Sequence, residues 1–352
     1  MKKILLMSGL SKGGGAERVL SILANYFSEN SFEVTFSSFY DNGYYDLNHC
    51  IHRKVFNSNN KIALLYDIRS FVKNQKFDVV ICFMYPISYT LCISLIGMKN
   101  RPIIISSERA DPSKPTHHKV EKYLRNWAYN YSDHMVFQTE DARQFFKNLD
   151  VSRTSIIKNP ISNKLPQANT GIRNKNIIAI GRLTEQKNFE MLIRTFEKIS
   201  KEYPSYKLDI YGEGPLENNL LLLISKLSLN DKVKIHKFSD SIYEVLNESG
   251  IYVSCSNYEG ISNTMLEALS LGVPTICTDC PVGGAKENII DGVNGLLIDT
   301  NNEIQLYNSI RKIITNESLA KTLSNNYKIV RNKLDVKNIG EQWIKLINGL
   351  AK

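Results

Sequence analysis

The stretch IYVSCSNYEGISNTMLEALSLGVPTICT, residues 251–278, decides the fold. It opens with the apolar run Ile251–Ser254 and closes with the apolar run Thr275–Thr278, and both runs have the length of a buried strand. Residues 263–271 between them carry apolar side chains at helical spacing. A strand, a helix and a strand in this order predict a βαβ unit with parallel strands.

The same alternation continues on both sides of this stretch. Further strands are predicted over 3–8, 32–38, 77–83, 102–106, 134–138, 176–180, 207–211 and 232–236, and further helices over 16–28, 62–76, 121–131, 189–201, 216–226, 242–247 and 338–350. Continuous apolar strands such as 77–83 are typical of a parallel sheet that is covered on both faces. The fold class is therefore α/β, with doubly wound sheets.

One polar stretch, punctuated by Pro160, Pro166 and Gly171, interrupts the alternation. It predicts a linker at 161–175 between a first domain at 1–160 and a second domain at 176–335, which suits a length of 352 residues. The amphipathic segment 336–352 is followed by no strand, so we expect it to pack back toward the first domain.

Composition favours a soluble protein that stays in the cytoplasm. Hydrophobic residues make up 43% and charged residues 22% of the chain, as in ordinary globular proteins. The longest apolar segment, 79–98, is interrupted by Pro86, and the apolar run after Lys2 and Lys3 is too short for a signal peptide. Of the six cysteines, Cys277 and Cys280 form a CxxC pair without a partner motif, so we expect no metal site.

The net charge of +9 lies mostly in the first half of the chain. Such a balance suits a diphosphate-bearing substrate or an anionic membrane surface, and the absence of nucleic-acid-binding motifs argues against a nucleic-acid partner. Two basic helices suggest a peripheral contact with the inner face of the plasma membrane; an ordinary solvated face is the alternative. The residues concerned are Arg69, Lys73 and Lys76 in one helix, and Lys119, Lys122, Arg125, Tyr123, Trp127, Tyr129 and Tyr131 in the other.

The first motif, GLSKGGGAER at residues 9–18, lies between a strand and a helix. Glycines let backbone amides approach a phosphate at the start of a helix, and Gly14 and Gly15 are the candidates. A tight turn is the structural alternative. The spacing differs from the GxGxxG pattern of dehydrogenases, and no acidic residue closes the second strand, so a nicotinamide enzyme is disfavoured.

The second motif, GRLTEQKN at residues 181–188, also joins a strand to a helix. It brings Arg182 and Lys187 to the carboxyl end of a strand, where a guanidinium fork and an ammonium can bind one pyrophosphate. Asn188 is a suitable N-cap for the helix that follows. A solvated basic turn is the alternative.

The third motif, YEGISNTMLEALSLGVP at residues 258–274, is the most specific. The backbone amides of Ser262, Asn263 and Thr264 can meet an anion at a helix N-terminus. Glu267 could accept hydrogen bonds from ribose hydroxyls, and Glu259 could reach a second sugar ring. The alternative, a turn residue and an exposed helix residue, would leave Glu267 unpaired at the edge of an apolar face, which is costly.

These ordered motifs, together with GGAKE at 283–287 and DGVNGLL at 291–297, resemble the retaining GT-B glycosyltransferases of family 4 over essentially the whole chain. The resemblance implies two Rossmann-like domains that face each other across a cleft. It is greatest to bacterial enzymes that extend lipid-linked oligosaccharides or surface polysaccharides, including N-acetylgalactosamine transferases.

The resemblance also implies the roles of the site residues. Arg182 and Lys187 would hold the donor diphosphate and stabilise the leaving nucleoside diphosphate, Glu267 would bind ribose and Glu259 the transferred sugar. The implied catalytic residues are Arg182, Lys187 and Glu259. The implied donor-binding set is Gly14, Gly15, Arg182, Lys187, Glu259, Ser262, Asn263, Thr264 and Glu267.

One departure concerns the loop after the strand at 102–106. Many members of the family have a sugar-facing His here, whereas this chain has Arg109 after Glu108, and His117 and His118 lie out of register. Glu108 and Arg109 are the candidate sugar contacts, and an ion pair of Arg109 with Glu108 or Asp111 is the structural alternative.

The resemblance implies transfer of a hexose or N-acetylhexosamine from a UDP-sugar to a glycan or polyprenyl-linked saccharide, with retention by front-face attack. The chain has no Asp-x-Asp sequence, so we expect the two cations to replace a metal and no cofactor to be needed. A nucleotide-sugar epimerase and a non-catalytic nucleotide-binding protein are the alternative functions.

Overall fold

The structure, a computed structural model, describes residues 1–10, 14–41, 45–58, 60–114, 119–239 and 241–350. The chain forms two compact units, Met1–Pro160 with Asp335–Lys352, and Ile161–Leu334. The segment at 161–175 lies in the second unit, and the last helix lies in the first. Each unit is a Rossmann-like α/β domain, which confirms the predicted fold class.

Each unit has one fully parallel sheet. The first contains Lys2–Met7 (β1), Phe32–Ser38 (β2), His52–Val55 (β3), Val79–Phe83 (β4), Ile103–Ser107 (β5), His134–Phe137 (β6) and Thr154–Ile156 (β7) in the order β3-β2-β1-β4-β5-β6-β7. The second contains Asn176–Ile180 (β8), Lys207–Tyr211 (β9), Val233–His236 (β10), Ile251–Ser254 (β11), Thr275–Thr278 (β12) and Leu296–Ile298 (β13) in the order β10-β9-β8-β11-β12-β13.

Helices connect these strands. They are Gly15–Glu29 (α1), Lys61–Gln75 (α2), Tyr85–Leu95 (α3), Lys119–Tyr131 (α4), Glu140–Phe145 (α5), Phe189–Glu202 (α6), Glu217–Lys226 (α7), Ile242–Glu248 (α8), Asn263–Ser270 (α9), Glu303–Thr315 (α10), Glu317–Asn325 (α11), Lys328–Lys333 (α12) and Val336–Leu350 (α13). A short 3-10 helix spans Val151–Arg153.

The last helix, α13, completes the core of the first unit. Its residues Ile339, Trp343 and Ile347 recur at helical spacing and are buried. The helix packs on α1, and the Trp343 ring lies 6.1 Å from the ring of Phe83 at the end of β4. Burial of this apolar stripe holds the carboxyl-terminal segment on the first unit.

The strand order of each sheet reverses at one point, between β1 and β4 in the first unit and between β8 and β11 in the second. Ligands of open parallel sheets bind outside the carboxyl ends of the strands at such a reversal. The loop after β1 contains the first glycine motif, and the loops after β8 and β11 contain the second and third motifs. The topology therefore places all three motifs at the expected edges.

Candidate functional site

In the second unit, two loops at the β8/β11 reversal are bonded to each other. The backbone N–H of Asn257 donates to the Gln186 carbonyl at 2.8 Å, and the Gln186 side chain donates to the Tyr258 carbonyl at 3.0 Å. The Asn257 side chain donates to the Glu185 carbonyl at 2.8 Å. These bonds fix the loop that carries Lys187 against the loop that carries Glu259.

Lys187 and Glu259 form an ion pair between these loops, and both side chains are mostly buried. Glu259 also accepts hydrogen bonds from Ser256 at 3.3 Å and Gln186 at 3.4 Å. The stem of Lys187 crosses Gly181, where an added Cβ would lie 3.0 Å from the lysine Cε. Glycine at 181 thus makes room for the lysine, and the ammonium is held in place before any ligand binds.

Arg182 occupies a different environment. Its side chain is exposed, and its Nη2 donates to Gln186 Oε1 at 3.4 Å. Gln186 therefore lies beside both predicted cations. Asn188 caps α6 as predicted, because its side chain accepts a hydrogen bond from the Met191 N–H at 3.4 Å.

Helix α9 presents the rest of the third motif. Ser262 caps the helix by accepting from the Met265 N–H at 3.4 Å, and the hydroxyls of Ser262 and Thr264 lie 3.0 Å apart. Asn263 begins the helix. Glu267 is only 4% exposed, and its Oε1 accepts a hydrogen bond from the Tyr243 hydroxyl of α8 at 3.3 Å.

A pocket opens beside Glu259, Gly260 and Ser262, at the carboxyl ends of β11 and β12. Its wall includes Cys277 and Cys280, and burial raises the pKa of the Cys277 thiol well above its usual value. The thiol is therefore protonated and a poor nucleophile. The pocket offers a carboxylate, hydroxyls and a helix N-terminus in a small space.

Sequence reasoning missed three side chains of this site, Tyr243, Gln186 and Asn257. Tyr243 belongs to a separate helix, and nothing in its local sequence indicates contact with Glu267. Gln186 and Asn257 lie inside the motifs, but their role of joining the two loops depends on strand order. Only the tertiary fold reveals them.

In the first unit, Gly14 caps α1 with its extended backbone, and Gly15 is the first residue of the helix. An added Cβ on Gly14 would lie 2.1 Å from Glu17 Oε2, and Glu17 Oε1 accepts from the Ser8 hydroxyl at 3.3 Å. A carboxylate of the protein thus lies at this helix N-terminus. Gly13 lies outside the described residues.

Glu108 is buried after β5 and fully engaged. Its carboxylate accepts from the backbone N–H groups of Arg109 at 3.1 Å and Ala110 at 3.3 Å, and from the Tyr129 hydroxyl at 2.9 Å. Burial raises the pKa of Glu108, and these bonds oppose the rise. Through these bonds the Glu108 carboxylate fixes the backbone at Arg109 and Ala110.

Arg109 is 9% exposed. Its guanidinium lies 3.9 Å from the Phe83 ring centroid, and Nη1 donates to Asn159 Oδ1 at 2.9 Å. Nε and Nη2 have no hydrogen-bond partner among the described residues, and burial lowers the arginine pKa to about 9. Among the described residues no ion pair joins Arg109 to Glu108 or Asp111, although the charge of Glu108 opposes the lowering of the arginine pKa. His117 and His118 lie outside the described residues.

The structure corrects part of the predicted basic faces, whose lysines are exposed. Arg125 and Tyr129 of α4 are buried, and Trp127 stacks on Tyr131. Arg69 of α2 donates to the carbonyls of Ser94 and Ile96, at 2.9 Å each. These side chains stabilise the first unit because the neighbouring helices pack over them.

Within the described ranges, no three His, Cys, Asp or Glu side chains are grouped so that they could hold a metal ion. The same residues contain no helix with the length and apolarity needed to span a bilayer.

Comparison with protein families agrees with the positions of the motifs. The family model described as Glycosyltransferase Family 4 matches residues 13–164. The model described as Glycosyl transferases group 1 matches residues 163–330. The chain is a GT-B glycosyltransferase of the family 4 type.

Relatives of this glycosyltransferase align along most of its length. It is 32% identical to the glycosyltransferase MJ1059 of Methanocaldococcus jannaschii over 63% of this chain and 64% of that one. It is 26% identical to the GalNAc-alpha-(1->4)-GalNAc-alpha-(1->3)-diNAcBac-PP-undecaprenol alpha-1,4-N-acetyl-D-galactosaminyltransferase of Campylobacter jejuni, over 99% of this chain and 98% of the relative.

Among solved structures, this glycosyltransferase matches that of Anabaena Alr3699/HepE in complex with UDP-glucose. The TM-score is 0.85 at 19% identity, with 99% of this chain and 100% of that one covered. At this identity the likeness concerns the fold.

Proposed function

We propose that this glycosyltransferase moves a hexose or N-acetylhexosamine from a UDP-sugar to a glycan or polyprenyl-linked saccharide with retention, in bacterial polysaccharide or oligosaccharide assembly. The convergence of Lys187, Glu259 and the α9 N-terminus at the β8/β11 reversal carries the proposal. The name of the Campylobacter relative supports the acceptor class, and the UDP-glucose complex of HepE supports the donor class.

Lys187 and Arg182 are proposed to bind the diphosphate. The buried ammonium of Lys187 would exchange Glu259 for a phosphate oxygen, and the exposed guanidinium of Arg182 is available to fork across the other phosphate. The charge that develops on the leaving UDP is stabilised by these two cations. No metal or other cofactor is needed for this role.

Glu267 is proposed to bind the ribose hydroxyls, with Tyr243 orienting its carboxylate. Once Lys187 has moved to the phosphate, Glu259 would accept from hydroxyls of the transferred sugar. Ser262, Asn263 and Thr264 supply the start of α9, where a phosphate oxygen is stabilised by the helix dipole. In the first unit, Gly14 and Gly15 are proposed to contact the distal phosphate and Arg109 the sugar.

Retention would follow from attack on the face from which UDP leaves. The acceptor hydroxyl oxygen bonds to the anomeric carbon as the bond from that carbon to the phosphate oxygen breaks. The hydroxyl proton passes to the departing phosphate oxygen. No protein nucleophile is required in this step.

The test measures UDP release from a panel of UDP-sugars, with and without a polyprenyl diphosphate-linked saccharide. We expect acceptor-dependent release by the wild type and a decrease of about 100-fold to 1,000-fold in Lys187→Ala, since a cation facing the developing charge is lost. Lys226→Ala, at an exposed site in α7, is the control.

The alternatives give different results in the same assay. Interconversion of the donor sugar without acceptor would identify an epimerase, and binding without either reaction would identify a nucleotide-binding protein. Wild-type turnover by Lys187→Ala would contradict the proposed role of Lys187 in binding the diphosphate. A thermal-shift screen with UDP, GDP and ADP identifies the base, since a ligand at 100 times its Kd stabilises the fold by about 2.7 kcal/mol.

A peripheral contact with an anionic membrane is proposed for a face formed by α2 and α4, each of which packs against α3. Four apolar or aromatic side chains on this face, Ile62, Tyr66, Val120 and Tyr123, are between 68% and 78% exposed. Lys61, Lys119 and Lys122 beside them are exposed too. Exposed aromatic and apolar side chains among lysines suit the headgroup region of an anionic bilayer.

A further inference from the structure

Arg173 joins the ends of two helices in the second unit. Its Nη1 donates to the carbonyls of Asn247 and Ser249. Its Nη2 donates to the carbonyls of Leu271 at 2.8 Å and Gly272 at 2.9 Å. Asn169 provides a further carbonyl for Nη2. One planar guanidinium thus binds five backbone oxygens.

Four of these oxygens, all but that of Asn169, lie at the carboxyl-terminal ends of α8 and α9, where Ser249 and Leu271 are the C-cap residues. The last carbonyls of a helix have no partner within the helix and form the negative end of its dipole. A cation at this position is therefore stabilising. Burial lowers the pKa of Arg173 to about 10, so the side chain is charged at neutral pH.

The end of α9 is held from a second direction. The Ser324 hydroxyl donates to the Gly272 carbonyl, and Arg331 donates to the carbonyls of Pro166 at 2.9 Å and Ser270 at 3.4 Å. Gly272 has a φ of +68°, and an added Cβ there would lie 2.8 Å from the Ser324 carbonyl oxygen. The helix can therefore neither slide nor rotate without breaking several bonds.

The same two helices carry the proposed ribose-binding pair, Tyr243 on α8 and Glu267 on α9. Their hydrogen bond of 3.3 Å depends on the spacing of the helices. Apart from Asn169, every acceptor of Arg173 belongs to the end of one of these helices. The guanidinium thus sets that spacing from the end opposite the pocket.

We propose that Arg173 is a positioning residue for donor binding, acting through the Tyr243–Glu267 pair without touching the nucleotide. The identity of the ligand rests on the proposed function, whereas the coupling between the helix ends and the pair does not. Lysine cannot replace the arginine, because a point charge on a flexible stem cannot bridge two helix ends as a planar fork does.

The experiment measures the Kd of UDP by calorimetry for the full-length wild type and for Arg173→Lys. We expect about a tenfold weaker Kd in the variant, equivalent to about 1.4 kcal/mol. Arg69→Lys is the matched control, since Arg69 also binds two carbonyls at a helix end, in the first unit. Its Kd for UDP should equal that of the wild type.

A double-mutant cycle separates positioning from general loss of stability. In a Glu267→Ala background, Arg173→Lys should weaken UDP binding no further, because its effect passes through Glu267. An unchanged Kd in Arg173→Lys, or an equal loss in both backgrounds, would overturn the proposal.

A ligand-free measurement distinguishes this proposal from the proposed function. Thermal unfolding of Tyr243→Phe, Glu267→Gln and the double variant gives the coupling free energy between the two side chains. This coupling free energy should disappear when the same cycle is measured in the Arg173→Lys background. Persistence of the coupling would refute the role of Arg173. Failure of the wild type to bind UDP, GDP or ADP would refute the proposed function, and the coupling measurement would still decide this role.

Discussion

At the scale of single residues, Arg109 is a charged group that the fold only partly satisfies. Two of its guanidinium nitrogens lack partners among the described residues, and a buried, unsatisfied polar group costs about 1–3 kcal/mol. We expect Arg109→Met to have an unfolding free energy equal to that of the wild type or higher by about 1–2 kcal/mol. We also expect its rate of sugar transfer to fall by at least about tenfold, because a substrate contact is removed. A destabilised variant with full activity would contradict the proposed sugar contact.

The stability effect of Arg109 has a predicted pH dependence. Burial lowers its pKa to about 9 from the ordinary 12.5, so the folded protein loses this proton before the unfolded chain does. The cost of the charge is thus fully present below about pH 9 and decreases as pH rises toward 12.5. The advantage of Arg109→Met should therefore shrink between pH 7 and pH 10 in denaturant titrations. Arg194→Met, on the exposed face of α6, should show little change.

Residue types and spacing predicted Lys187, Glu259 and Glu267 as candidates, because cations and carboxylates that follow strands can be identified from the sequence alone. The contacts that these side chains make could not be predicted in the same way. The ion pair of Lys187 with Glu259 and the bond from Tyr243 to Glu267 depend on contacts between segments far apart in sequence. The buried state of Arg109 was equally hidden, since its aromatic partner Phe83 belongs to a different strand.

At the scale of elements, the strands and helices that were predicted lie within a few residues of the observed ones, because apolar periodicity is strong in buried elements. The helices Glu303–Thr315, Glu317–Asn325 and Lys328–Lys333 were not predicted. Three strands were missed, His52–Val55, Thr154–Ile156 and Leu296–Ile298. Each has three or four residues and lies at a sheet edge. Pairing with one neighbouring strand, rather than local sequence, defines such elements.

A loop contact beside the pocket gives a prediction at the same scale. An added Cβ on Gly284 would lie 1.9 Å from the Gly260 carbonyl oxygen, and Gly260 follows Glu259. Gly284→Ala should therefore push the Glu259 loop aside, weaken UDP binding by at least about tenfold and destabilise the second unit by about 1–3 kcal/mol.

Gly349→Ala in α13 is the matched control, because an added Cβ there meets nothing within 4 Å. It should be neutral or stabilising by up to about 1 kcal/mol. Calorimetry with UDP and thermal unfolding measure both effects. Equal UDP affinity in Gly284→Ala and the wild type would show that this contact does not shape the pocket.

At the scale of the whole molecule, the sequence indicated two α/β units and an excess of positive charge, but not the strand order that puts the motifs at the sheet reversals. It also included in the membrane face two side chains that the fold buries, since a helical pattern does not show which neighbours cover it. Arg125 and Tyr129 are buried, whereas the predicted Tyr123 is exposed, and the proposed face adds Ile62, Tyr66 and Val120.

Flotation with liposomes tests this face. The wild type should float with anionic vesicles and remain unbound with zwitterionic ones, because lysines near an anionic surface each contribute about 1 kcal/mol. The double variant Ile62→Asp, Tyr123→Asp should lose most binding. Leu222→Asp, at a 70% exposed site in the second unit, should float like the wild type. Equal flotation with both lipids, or of both variants, would contradict the proposed face.

The carboxylate of Glu259 lies on Lys187, the cation that we propose to bind a phosphate. In that proposal, such a tethered counter-ion makes capture of a phosphate an exchange of partners. A lone inorganic phosphate gains little from the exchange, whereas a nucleotide adds its ribose and base contacts. In the same proposal, Glu259 would return to Lys187 once the bond between the sugar and the diphosphate is broken, and this would favour release of the spent nucleotide over tight retention of product.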